Sequence, residues 1–179
     1  MNEIVIRVAD DAGPRTAGSD FTAMCRREYS PLVGLLVVAV GDRGQAEDIA
    51  QEAWARAWSH WARVSTLDRP DLWVRRVALN LSTSWWRRQQ VAGRRAAALP
   101  PDPALIDDPP VTDDDLVRQV QALPHRQRAA IACRYFADMS VADTAVAMRC
   151  REGTVKALTS QAISALRKVA VFDEEHDGA

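Results

Sequence analysis

The chain has too little of the residues that would make it a disulfide scaffold, a metal protein or a membrane protein. Its 179 residues include three cysteines, Cys25, Cys133 and Cys150, far apart, with no CxxC and no histidine pair nearby. That spacing excludes a disulfide framework and argues against a zinc site. The longest apolar run, Leu32 to Val40, is interrupted by Gly34 and falls well short of a membrane span. Residues 1–18 carry acids early and have no hydrophobic stretch, so no signal peptide is expected and the expected compartment is the cytoplasm. No Gly-rich phosphate loop, Ser/Cys–His pairing or carboxylate pair is present, and His60, His125 and His176 are isolated. No enzyme and no cofactor is therefore expected. Lysine is nearly missing: apart from Lys156 and Lys168, all 23 basic residues are arginine, the better fork for phosphate and base edges.

What is there is helical and unevenly charged. Hydrophobic residues make up 47%, enough for a packed core. The net charge of −1 conceals segments of opposite sign. Arg69 to Arg95 holds seven arginines and one acid, Asp71; Pro100 to Asp115 holds six aspartates and no base; Arg118 to Lys168 holds nine bases and three acids. Two basic blocks around an acidic, proline-rich strip imply two modules and a linker. Strand alternation is confined to Ile4–Val8, and the expected class is all-α: two small helical domains joined by a Pro/Asp-rich linker.

In the first module, Phe21, Met24, Cys25, Leu32, Leu35, Leu36 and Ala39 share one helical face, with Pro31 expected to kink or restart the helix. A second stripe runs Ala46, Ile49, Ala50, Ala53, Ala57, Trp61, and a third, opened by Pro70, runs Val74, Val77, Ala78, Leu81, Trp85. Residues 96–112 hold five prolines and read as the linker. Beyond it, Leu116 to Leu123 forms one helix and Pro124 opens another reaching about Phe136. Ser140 and Asp143 make a capping box for a short helix ending near Met148; after a tight turn a longer helix runs from about Glu152 to Val169. Short helix, turn, longer helix with a basic start is a helix-turn-helix spacing.

GDRGQAEDIAQEAWARAW (41–58) resembles region 2 of bacterial sigma factors of the extracytoplasmic-function group. RPDLWVRRVALNLSTSWWRR (69–88) fits the promoter-contacting part that follows, and residues 123–168 resemble region 4 of the same group. The resemblance implies a promoter-specificity subunit of RNA polymerase. Its expected layout is an N-terminal arm (1–19), region 2 (20–95), the linker (96–112), region 4 (113–171) and an acidic tail (172–179). The implied partners are core RNA polymerase and promoter DNA, with room for an anti-sigma factor and no role for a membrane. A stand-alone helix-turn-helix regulator would account for residues 113–169 but leave the first module without a role.

The resemblance also assigns residues. Asp48, Gln51 and Glu52, with Ala55, share the polar face of the second helix and match the family surface that docks on core polymerase. Trp73, Arg76, Asn80, Thr83, Trp86 and Arg87 are assigned to the −10 element: Arg76, Asn80, Thr83 and Arg87 fall at spacings of four, three and four on one stripe. Arginine grips phosphate or guanine, asparagine can pair with an adenine edge, and Trp73 and Trp86 can stack on unpaired bases. The loop Val64–Arg69 is where the family holds an extruded base. Arg149, Arg151, Glu152, Thr154, Lys156 and Ser160 are assigned to the −35 element. Here the chain departs from the family: Arg149 stands where glycine is usual, Cys150 occupies the turn, and Leu158 and Gln161 replace frequent arginines. Cys150 is expected to be a packed turn thiol. The −6 strip is expected to thread the basic interior of the polymerase.

Overall fold

The computed structural model describes residues 17–96 and 115–176. Within them the chain forms α1 (Ala17–Val40), α2 (Arg43–Ser59), α3 (Trp61–Val64), α4 (Pro70–Ala96), α5 (Asp115–Ala122), α6 (His125–Ile131), a π-helical turn (Ala132–Phe136), α7 (Val141–Met148) and α8 (Glu152–His176). The described residues contain no strand, in line with the all-α expectation. The Ile4–Val8 arm and nearly all of the linker lie outside the described residues.

α1, α2 and α4 pack on one another. α2 brings Ala46, Ala50, Ala53 and Ala57, all with no exposed surface, to one face at spacings of four, three and four, so its neighbours can approach closely. Asp42 starts α2 by accepting a hydrogen bond from the backbone N–H of Gln45 at 2.5 Å. Phe21 of α1 meets Trp54 and Trp61 edge-on, closing that end of the bundle with aromatic rings. Between α1 and α4, Arg75 pairs with the half-buried Glu28 (2.9 Å); burial raises the Glu28 pKa, but hydrogen bonds from Arg27 and Arg75 outweigh it and hold the carboxyl below its usual value.

Three local expectations are corrected. Pro31 does not restart the helix: α1 runs from Ala17 to Val40 with Pro31 inside it. Pro31 and Arg27 are both exposed, so the carbonyl deprived of its partner faces solvent. The stripe ending in Trp61 is not one helix: α2 stops at Ser59, the His60 N–H bonds to carbonyls of the preceding turn, and Trp61 begins the separate turn α3. α8 continues past Val169 to His176, so part of the acidic tail is helical backbone.

α7 starts as expected, with Ser140 Oγ accepting from the Asp143 N–H at 2.9 Å. The Asp143 carboxylate does not complete the box; it meets Arg69 at 3.5 Å instead. Arg149 ends α7 in the left-handed region (φ 51°), which explains the family's usual glycine there. Arg149 holds that conformation at a cost of about 1–2 kcal/mol.

The second module lies against the first: α6 and the π turn pack on α1, and α7 packs on α4. Ala129, Ala132, Cys133, Met139 and Ala147 are buried in the same apolar cluster as the first module's core. Gly41, at φ 89°, sits directly under the side-chain amide of Gln121, leaving no room for a β-carbon.

Candidate nucleic-acid and polymerase interface

Asp48, Gln51 and Glu52 are all exposed along α2, opposite its alanine stripe. Glu52 pairs with Arg56 at 2.7 Å, an exposed i,i+4 contact of the kind that contributes only a few tenths of a kcal/mol. Ala55 continues the face, and so does Trp58, which is 56% exposed beside Phe21. Trp58 was not picked out from sequence. Its position three residues past Ala55 was the available signal, obscured because the neighbouring Trp54 and Trp61 are buried core.

The α4 stripe divides. Asn80 and Arg87 are exposed, and Arg87 lines an open groove with Arg88, Val91 and Ala92. Trp73 is half-buried, its ring 6.3 Å from that of His60. Arg76, Thr83 and Trp86 are half-buried, and Thr83 and Trp86 contact the second module. Thr83 Oγ1 donates to the Leu79 carbonyl (2.9 Å), so its contact with His125 Nε2 (3.3 Å) is one in which the imidazole donates. The Trp86 ring lies 5.8 Å from that of His125 and 4.4 Å from the Arg128 guanidinium. Arg76 is pushed below the usual arginine pKa by burial and by Arg149 nearby. The Val64–Arg69 loop is tethered at its end, where Arg69 bonds Asp71 (2.9 Å) and reaches Asp143 (3.5 Å).

In the second module, Arg149, Arg151, Glu152, Lys156 and Ser160 are exposed and Thr154 is half-buried. They gather at the α7–α8 turn and along α8, with Val155 and Ala162 buried beneath. Lys156 and Ser160 also line a groove of ≈ 780 Å³ with Arg134, Tyr135, Ser164, Arg167 and Lys168. Sequence reasoning missed Arg134 and Tyr135. The π turn ahead of α7 swings them onto this wall, and helical spacing does not foretell such a turn. Arg134 is held there by donating to the Met139 carbonyl. Cys150 is half-buried, and burial raises its pKa despite Arg126 nearby, so the turn thiol is not activated.

Among the described residues, no group of three or more His, Cys, Asp or Glu could hold a metal ion, and no helix is long and apolar enough to cross a membrane. The arrangement offers an acidic helix face, a polar and aromatic stripe on a long helix, and a helix-turn-helix with a basic groove.

Residues 24–91 match the family model of sigma-70 region 2, and residues 113–166 match that of sigma-70 region 4. The chain is 31% identical over 133 residues to the RNA polymerase sigma-E factor of Streptomyces coelicolor, covering 74% of this chain and 75% of that protein. It is 28% identical over 150 residues to the sigma-E factor of Streptomyces antibioticus, covering 83% of each. Among solved structures, the sigma factor RpoE in complex with the anti-sigma factor NepR from Bartonella quintana superposes with a TM-score of 0.70 at 20% identity, over 87% of this chain and 99% of that one. CnrH in complex with the cytosolic domain of CnrY gives a TM-score of 0.62 at 17% identity, over 89% and 94%. With both regions matched in order and the fold shared, the chain belongs to the extracytoplasmic-function group of RNA polymerase sigma factors, which bind core polymerase and direct initiation at promoters.

Proposed function

We propose that residues 20–95 bind core polymerase and open the −10 element, that residues 113–171 read the −35 element, and that the chain works in the cytoplasm with no catalytic activity of its own. The observation that carries this division of labour is the exposed Asp48–Gln51–Glu52 face on one side of the first module, with Asn80 and Arg87 exposed on α4. Charged side chains on a rigid helix fix register and speed encounter more than they add affinity. Trp58, at the C-terminal end of the same face, supplies a large exposed aromatic anchor.

On α4, Asn80 is the base-reading residue and Arg87 a phosphate contact. Arg76, Thr83, Trp73 and Trp86 complete the −10 surface, the two rings stacking on unpaired bases. On the second module, Arg151, Glu152, Thr154, Lys156 and Ser160 face the major groove from the start of α8, with Arg149 at the turn. Arg134 and Arg167, on the walls of the same groove, add phosphate contacts. An anti-sigma factor is a further candidate partner, and the acidic strip at 100–115 remains proposed for the basic path inside polymerase.

Mapping transcription starts after overexpression tests this reading, since it returns both promoter elements at once. New starts sharing two spaced elements support it. Unchanged starts contradict it.

A further inference from the structure

Gln127 of α6 and Gln161 of α8, neither of them among the residues assigned to DNA, are joined by a hydrogen bond in which Gln127 Nε2 donates to Gln161 Oε1 at 3.3 Å. Gln127 is half-buried and Gln161 exposed. The two side chains stand on a rigid frame. Ala162, next to Gln161, has no exposed surface and packs with Leu123 and Ile131, backed by Ala165 and Leu166. α6 and α8 pack on one another there, so the two amides keep a fixed relation while Gln161 stays open to solvent.

The face of α8 that carries Gln161 is otherwise made of short side chains. Ala157, Ser160, Gln161 and Ser164 are all exposed, at spacings of three, one and three, which is one side of a helix. Lys156 lies at its edge, on the groove wall, where a cation reaches phosphate. Short side chains let a helix approach the floor of a major groove, but a serine hydroxyl bonds to any base and a methyl offers only apolar contact. Gln161 alone on this face carries a planar amide, an acceptor and a donor side by side, and that pair matches N6 and N7 of adenine.

A free glutamine reads a base poorly. Its amide can turn over and offer acceptor and donor in either order, and fixing the side chain on binding costs conformational entropy. Gln127 removes that freedom: by donating to Gln161 Oε1 it sets which end of the amide is which, and it takes only one of that oxygen's two lone pairs. The other lone pair and both Nε2 hydrogens of Gln161 are left for a base. In guanine, O6 would meet the Oε1 lone pair, acceptor against acceptor, so the fixed amide favours adenine.

We propose that Gln127 and Gln161 form a two-residue unit that reads one adenine of the −35 element. Gln161 touches the base, and Gln127 is a positioning residue that sets the orientation of its amide. The proposal rests on the assignment of α8 to the −35 element.

The test is run-off transcription by the full chain with core polymerase on a promoter library randomised across the −35 element, with yields read from barcoded transcripts. Wild type should favour adenine at one position by roughly 5- to 100-fold. Gln161→Ala should flatten that position and leave the preferences at the others unchanged. Gln161→Arg should exchange adenine for guanine at the same position, because its fork fits O6 and N7. Gln127→Glu keeps the side-chain length but its carboxylate only accepts, so it turns the Gln161 amide over. The adenine preference should then drop about two- to tenfold at that position and nowhere else. A merely structural role for Gln127 would lower the yield from all sequences alike. Circular dichroism matching wild type confirms that each variant is folded. Gln161→Ala that weakens every sequence equally, or Gln161→Arg that still selects adenine, would overturn the base contact. An unchanged profile for Gln127→Glu would remove Gln127 as its positioner. Failure of the functional reading looks different: wild type would then give no promoter-specific transcript from any member of the library, whereas a defined −35 preference that the variants leave intact refutes the amide pair alone.

Discussion

The guanidinium carbon of Arg128 sits 4.4 Å from the ring centroid of Trp86, so a cation of the second module is held against an aromatic ring of the first. Arg128 is 2% exposed, and burial pulls its pKa down to about 10, still well above neutrality. A buried cation needs hydrogen bonds and a polarisable partner to offset lost hydration. Gln121 supplies the first and Trp86 the second, and a desolvated cation–π contact contributes about 2 kcal/mol.

That contact should be measurable in a double-mutant cycle. Trp86→Leu and Arg128→Leu, alone and together, are expected to show a coupling of about 0.5–2 kcal/mol in thermal or urea melts. Additivity within experimental error would mean the ring and the cation are merely neighbours.

His125 gives the fold a pH dependence of known sign. Burial and the adjacent Arg128 push its pKa down from 6.5 to about 4, and Arg126 acts in the same direction. The unfolded chain therefore binds the proton first as pH falls. Stability from the neutral imidazole is full above about 6.5 and is lost progressively down to about 4. The Ala39 backbone acts in the opposite direction, favouring the charged imidazole, but does not outweigh burial and the two arginines. His125→Gln retains a donor near the Nε2 position and cannot titrate. Its melting temperature should fall less than that of wild type between pH 6.5 and 4.5; parallel curves would remove His125 from the linkage.

On α4, Asn80→Ala and Arg87→Ala should differ in kind. Both residues are exposed. A base contact carries discrimination of roughly 1–3 kcal/mol, whereas a phosphate contact weakens all sequences alike. Run-off transcription across a set of −10 variants should show a flattened preference for Asn80→Ala and a uniform loss for Arg87→Ala. Equal and uniform losses from both would exclude Asn80 from base reading.

Arg149→Gly relieves the positive φ at the end of α7. The expected gain is about 1 kcal/mol, or about 2–4 °C in melting temperature for a chain of this size. If Arg149 also contacts DNA, −35 binding should weaken in the same variant. A lower melting temperature would show that the Arg149 side chain contributes more to the fold than its backbone strain costs.

The helices were legible in sequence because each buries one stripe. The alanine face of α2 and the Ser140 cap of α7 could be read from spacing and residue type alone. What escaped depended on relations between segments. The break at His60 lies inside an unbroken apolar stripe, so periodicity runs straight through it. The π turn rotates Arg134 and Tyr135 by an amount that a 3.6-residue period does not encode. Trp86 and Thr83 look like free DNA-facing groups on their own helix; only the packing of α6 and α7 shows what covers them. Trp58 was hidden by composition, one exposed ring among several buried ones.

The most direct test of the central claim is reconstitution of the chain with core RNA polymerase, comparing wild type with a variant carrying Asp48→Arg and Glu52→Arg. Both positions are exposed, where substitutions usually shift stability by only about 0.5 kcal/mol. Wild type should co-purify with core and give promoter-specific run-off transcripts. The variant should lose both while keeping its helical circular dichroism and its melting temperature. Retention of the variant on core with undiminished specific transcription would contradict the assignment of the α2 face, and a wild type that neither binds core nor redirects initiation would contradict the account as a whole.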